Sequence, residues 1–153
     1  MNNPYFQMPK VQVLAADASR GRFFTLDSPK APLKELHTQV NPEARLHAGD
    51  LTTDQAGRQR APMSANSSAM EEPSAPKQSE ARRFAWELAE RLEQDRRQGK
   101  LEKLYLVSSP RFLGELRKQL SNGVKQCVAG TVDKDLSHLE PAALRKHLPE
   151  YLK

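Results

Sequence analysis

Hydrophobic positions along the chain follow two rhythms, and the change between them divides the sequence. Up to residue 40 the apolar residues alternate or form short blocks between turn-forming residues. Val11, Val13, Leu14, Ala15 and Ala16 predict a first strand over 10–17, buried on both faces. A turn at 18–21 leads to a second strand over 22–26, carried by Phe23, Phe24 and Leu26, and the close spacing predicts a hairpin. Asp27, Ser28 and Pro29 supply the next turn, and a third strand follows over 33–40. Three strands on tight turns form an antiparallel meander.

Beyond residue 78 the period becomes helical. Ala81, Phe84, Ala85, Leu88, Ala89 and Leu92 make one apolar stripe, with Ser79 as the expected N-cap and Gly99 as the left-handed C-terminal cap. Trp86 lies off that stripe and is expected to pack against the preceding loop. Leu104 to Val107 centre a fourth strand over 101–109. Ser109-Pro110 then places Ser at an N-cap and Pro at the first helical position, starting a helix that runs to about Leu120. Ser121-Asn122-Gly123 stops that helix, the run 124–132 predicts a fifth strand, and Pro141 opens a last helix over 141–148. The last two strands each follow a helix, which implies right-handed parallel crossovers. The expected fold is α/β: a mixed five-stranded sheet, meander first and βαβ crossovers second, in the order of ribonuclease-H-like folds.

Between the two rhythms, 43–78 shows neither period and has few large apolar residues, so it reads as a largely irregular, flexible loop before the main helix. With 1–9 as an N-terminal extension, the domain spans 10–150. A length of 153 residues suits one domain with a real core. Only 37% of residues are apolar and eleven are proline, which fits part of the chain lying outside that core. A single cysteine, Cys127, rules out an intramolecular disulfide; in its apolar run it is expected as a buried, inert thiol. No apolar run approaches the roughly 20 residues of a membrane span, and residues 1–7 show no signal-peptide pattern. The expectation is a soluble, cytoplasmic chain without a membrane partner.

The formal net charge of +5 favours a polyanionic partner. Arg20 and Arg22 flank the first hairpin turn, Arg58 and Arg60 lie in the long loop, Arg82 and Arg83 open the long helix, and Arg111 opens the next. Helix starts and strand ends share one edge of such a sheet, so these arginines form the candidate RNA- or anion-binding surface.

Candidate catalysis is thinner. A two-metal nuclease needs converging carboxylates; Asp17 ends the first strand and Asp133 and Asp135 follow the fifth, but Ser109 stands where the fourth strand would want an acid. These four form a candidate polar site, read equally as turn and loop caps. His37, His47, His138 and His147 show no zinc spacing, and no phosphate loop or nucleophile elbow is present. No catalytic residue, metal or cofactor is assigned, and a non-enzymatic role is preferred.

Three stretches carry a resemblance: Val13 to Phe24, Ser109 to Arg117, and Asp133 to Leu139. Together they resemble the bacterial host attachment protein family, in order from about Val11 to Leu148. The resemblance implies a role in attachment to host cells. It also implies kinship with the middle domain of archaeal and eukaryotic peptide-release factors and Pelota, whose Gly-Gly-Gln tip lies in the loop before the long helix. Here that loop holds Gly57-Arg58-Gln59 and two methionines, Met63 and Met70, and no Gly-Gly-Gln. The expected function is a small translation-associated factor that binds the ribosome, rRNA or tRNA in rescue, stress or hibernation. The alternatives are a metal-dependent nuclease or peptidyl-tRNA hydrolase, and a host-attachment or stress-related interaction module.

Overall fold

A computed structural model describes residues 8–43 and 75–153. The elements are β1 (Val11–Ala16), β2 (Arg20–Thr25), β3 (Lys34–Val40), α1 (Ala75–Arg97), β4 (Lys103–Val107), α2 (Pro110–Gln119), α3 (Asn122–Cys127), β5 (Val128–Val132) and α4 (Pro141–Arg145). They build a mixed α/β fold on one five-stranded sheet in the order β3-β2-β1-β4-β5. β1, β2 and β3 pair antiparallel as the meander, while β4 and β5 run parallel to β1.

β1 is the central strand and is buried along its whole length. Its alternate residues serve two cores, because successive strand side chains point to opposite faces. Leu14 and Ala16 face α1, α2 and α3, packing with Phe23, Phe84, Leu88, Leu92, Leu106 and Leu116. Val11, Val13 and Ala15 face the other way, onto Phe24, Tyr105 and Val107, closed over by Leu144, Leu148 and Leu152. Gly21 lets α1 approach β2 closely: a Cβ there would lie 2.6 Å from Leu88 Cδ2. Each edge strand carries a bulge. The register slips at Leu36 in β3 and at Ala129 in β5, which interrupts the free ladder on both sides of the sheet.

Three local expectations need correction. α1 begins at Ala75, so Ser79 lies inside the helix and does not cap it. Gly99 does take the left-handed conformation, with φ of 75°. The run 124–132 is not one strand. Ser121 caps α3 by accepting the Val124 amide at 3.1 Å, and β5 starts only at Val128. Val124, Cys127 and Val128 then meet the same core from the i, i+3 and i+4 positions of a helical turn. The last helix is also shorter than 141–148: α4 ends at Arg145 and Leu148 packs from beyond it. Trp86 is 51% exposed.

Candidate functional site

The candidate residues gather at the carboxyl ends of β1, β4 and β5, the edge at which α1 and α2 begin. Ligands of open α/β sheets bind in crevices at such strand ends, where connections diverge to opposite sides. Here they diverge between β1 and β4: β1 continues into β2 on one side, and β4 continues through α2 into β5 on the other.

Asp17 organises this edge. Its Oδ1 accepts the amides of Ser19 and Arg20 at 2.7 and 2.9 Å, and its own amide donates to the Arg20 carbonyl, closing the β1–β2 turn. Its Oδ2 accepts the Ser137 hydroxyl at 2.6 Å. Ser137 is fully buried and also lies 3.4 Å from Asp135 Oδ1, so the structure brings Asp17 and Asp135 together through a serine that the sequence patterns did not single out. Ser108 does similar work one strand over. Its hydroxyl donates to the Ala16 carbonyl at 2.9 Å and its amide to the Val132 carbonyl at 3.0 Å, pinning β4 between both neighbours. Buried Asn41 ties the end of β3 to the same turn, through Ala18 and Ser19. Asp133 is exposed. Among the described residues no group of three or more His, Cys, Asp or Glu is placed to hold a metal ion.

The arginines separate into different roles. Arg22 is an internal clamp: its guanidinium donates to the Ser137 and Leu139 carbonyls at 2.9 and 2.6 Å, pairs with Glu35 at 3.1 Å, and lies 5.0 Å from the Phe24 ring centre. The Arg22 hydrogen bond, followed by that of Thr38, holds the Glu35 carboxyl below the usual carboxylate range. Arg83 pairs with Glu87 at 2.6 Å and Glu43 at 3.5 Å. Arg20 is exposed at the hairpin turn. Arg82, two turns into α1, and Arg111, at the start of α2, share a cleft of about 490 Å³ between the N-terminal part of α1 and the length of α2. Lys77, Lys118, Glu115 and Ser109 line it too, with Ala18, Ala81 and Phe112 as apolar wall. Lys77 and Glu115 were not singled out by the sequence patterns; the spacing of Glu115 and Lys118 on one helix face was the available signal for Glu115. Gly57, Arg58, Gln59, Arg60, Met63 and Met70 lie outside the described residues.

At the opposite end of α1, Glu93 accepts hydrogen bonds from Arg96, Arg97 and Ser121, and those donors, Arg96 foremost, hold its pKa down to about 2. Because Ser121 also caps α3, this cluster joins α1 to α3 away from the cleft. Burial pushes the Cys127 thiol up, with Arg96 partly opposing.

A mixed α/β protein, its sheet covered on both faces and carrying a polar, cation-lined edge, is the class these features define. A family model described as "Protein required for attachment to host cells" matches residues 12–148, from β1 to beyond α4, and the chain belongs to that family. No curated protein matches the chain. A solved structure titled "Archaeal protein" is similar over 81% of this chain at 12% identity, with a TM-score of 0.40. The chain spans 29% of that protein's length. Among the described residues, no helix is long and apolar enough to cross a membrane.

Proposed function

We propose that this chain supports attachment to host cells as a binding module. The carrying observation is the family match, which covers the sheet and the helices packed on it. Binding, in preference to bond cleavage, is supported by how the polar edge is used. Both Asp17 oxygens are occupied by three donors, and the Ser108 and Ser137 hydroxyls are committed to the Ala16 carbonyl and to Asp17. These groups build the edge and leave side chains such as Arg20, Arg111 and Asp133 exposed to meet a partner. On the fold, we infer the ribonuclease-H-like arrangement; its support is the β3-β2-β1-β4-β5 order with β2 antiparallel to its neighbours.

Deleting the gene tests the function. Cells without it are expected to adhere to cultured host cells well below the parental level, with recovery when the chain is supplied from a plasmid. Unchanged adhesion in the deletion strain refutes the reading.

A further inference from the structure

We propose that the cleft between the N-terminal part of α1 and the length of α2 binds a small organic phosphate, of about nucleotide size. Independently of the attachment reading, the cleft has the composition and the position of an anion site. Its volume of about 490 Å³ falls within the range of small-molecule pockets, about 300–1,000 Å³. It opens where the connections of β1 and β4 diverge, marked by Ala18 after β1 and Ser109 after β4.

Charge chooses the ligand. Among the described lining residues, Arg82, Arg111 and Lys118 stand with one carboxylate, Glu115. Arg111 makes no hydrogen bond or ion pair with any described residue, so its planar donor fork is available to a phosphate. Arg82 and Lys118 are held only loosely: Glu115 Oε2 lies 3.9 Å from Arg82 Nε, and Oε1 lies 3.7 Å from Lys118 Nζ. Both separations exceed hydrogen-bond length, and buried Oε2 has no hydrogen-bond donor among the described residues. Glu115 thus stands between the two cations as a weak internal counter-ion, and an entering phosphate offers both better acceptors. The ten-residue helix α2 adds to this. Its N-cap Ser109 makes no side-chain cap bond, Pro110 has no amide hydrogen, and no acid occupies the first turn. The Arg111 and Phe112 amides therefore lack intrahelical partners, at the end of the helix that attracts negative charge. Phe112, Ala81 and Ala18 give the organic part an apolar wall.

Titration calorimetry of the full chain tests the site, with adenosine 5′-diphosphate as probe, adenosine and inorganic phosphate as comparison ligands, and a short RNA as competitor class. Measurable binding of the diphosphate is expected, weaker binding of phosphate, and none of adenosine. Arg111→Glu is expected to weaken the diphosphate about tenfold or more; with no partner among the described residues, Arg111 can change without unfolding the chain. Glu115→Gln is expected to tighten binding about fivefold, by removing a negative charge that competes for Arg82 and Lys118. That gain separates a ligand site from a merely structural cluster, where the substitution leaves binding unmoved. Equal affinity in the parent and Arg111→Glu, no diphosphate binding at millimolar concentration, or binding of RNA alone overturns the proposal.

Discussion

Replacing Arg22 by alanine should act on folding, despite the place of this residue beside an exposed hairpin turn. The side chain is 12% exposed and reaches across the sheet face to the segment after β5. Its loss removes two charge-assisted hydrogen bonds to the Ser137 and Leu139 carbonyls, at 2.9 and 2.6 Å. Hydrogen bonds to charged groups contribute about 1.5–3 kcal/mol each, but two from one guanidinium to neighbouring carbonyls are not independent. The pair with Glu35, whose side chain is 37% exposed, adds less than about 1 kcal/mol. The contact over Phe24 adds about 0.5–1 kcal/mol. Allowing for coupling, Arg22→Ala should lose about 2–4 kcal/mol of unfolding free energy. Far-UV circular dichroism during urea unfolding is the suitable assay, because the single tryptophan, Trp86, is half-exposed and a poor reporter of the core. The slope should hold while the midpoint falls. Arg111→Ala, which removes the same side chain from a site with no partner among the described residues, should shift stability by less than about 0.5 kcal/mol. A loss below about 0.5 kcal/mol for Arg22→Ala would refute the clamp, since so small a change is the mark of an ordinary surface site.

Other measurements probe the remaining joints. Glu93 has a folded pKa of about 2, below the ordinary 4.5, so its stabilisation is complete above the ordinary value and is lost as pH falls from there through about 2. Urea midpoints should therefore drop between about pH 5 and about pH 2.5, and Glu93→Gln should flatten that slope; an unchanged slope counts against the cluster. Ser137→Ala should cost about 1–3 kcal/mol by leaving Asp17 Oδ2 without its buried donor, read by the same urea titration. Gly21→Ala should cost about 1–3 kcal/mol through overpacking against Leu88, and a neutral result would mean α1 yields there. Cys127 should react with iodoacetamide at neutral pH more slowly than free cysteine, because burial raises its pKa; an equal rate refutes the assignment.

The strands were legible where burial repeats locally. β1 and β2 announce themselves because each carries consecutive residues for two opposite cores, as Phe23 and Phe24 do. The stretch 124–132 was not, because valines at both ends suggested a strand and Ser121 has two readings: it can end one helix or cap the next. The packing of buried Val124 and partly buried Cys127 and Val128 on one core decides between them, and that is a tertiary fact. The site divides along the same line. That Asp17 closes a turn follows from its neighbours, but its bond to Ser137 spans 120 residues and no local pattern encodes it. Nor did charge reveal that Arg22 is internal and Arg111 exposed, since the difference lies in what reaches them from elsewhere in the fold.

The central position of β1 also fixes an order of events during folding. Val11 pairs with Lys103, 92 residues later, whereas Gln12 pairs with Thr25 after a short hairpin. Closing the long loop costs entropy before its contacts form, so the hairpin should precede the β1–β4 ladder. In that interval the most apolar strand of the sheet keeps one edge open, with Val13 and Leu14 awaiting Tyr105 and Leu106. Unlike the bulged outer strands, this temporary edge pairs in unbroken register. It is the place where two half-folded chains would first adhere to one another, so refolding yield should fall with protein concentration even though the finished sheet guards both of its sides.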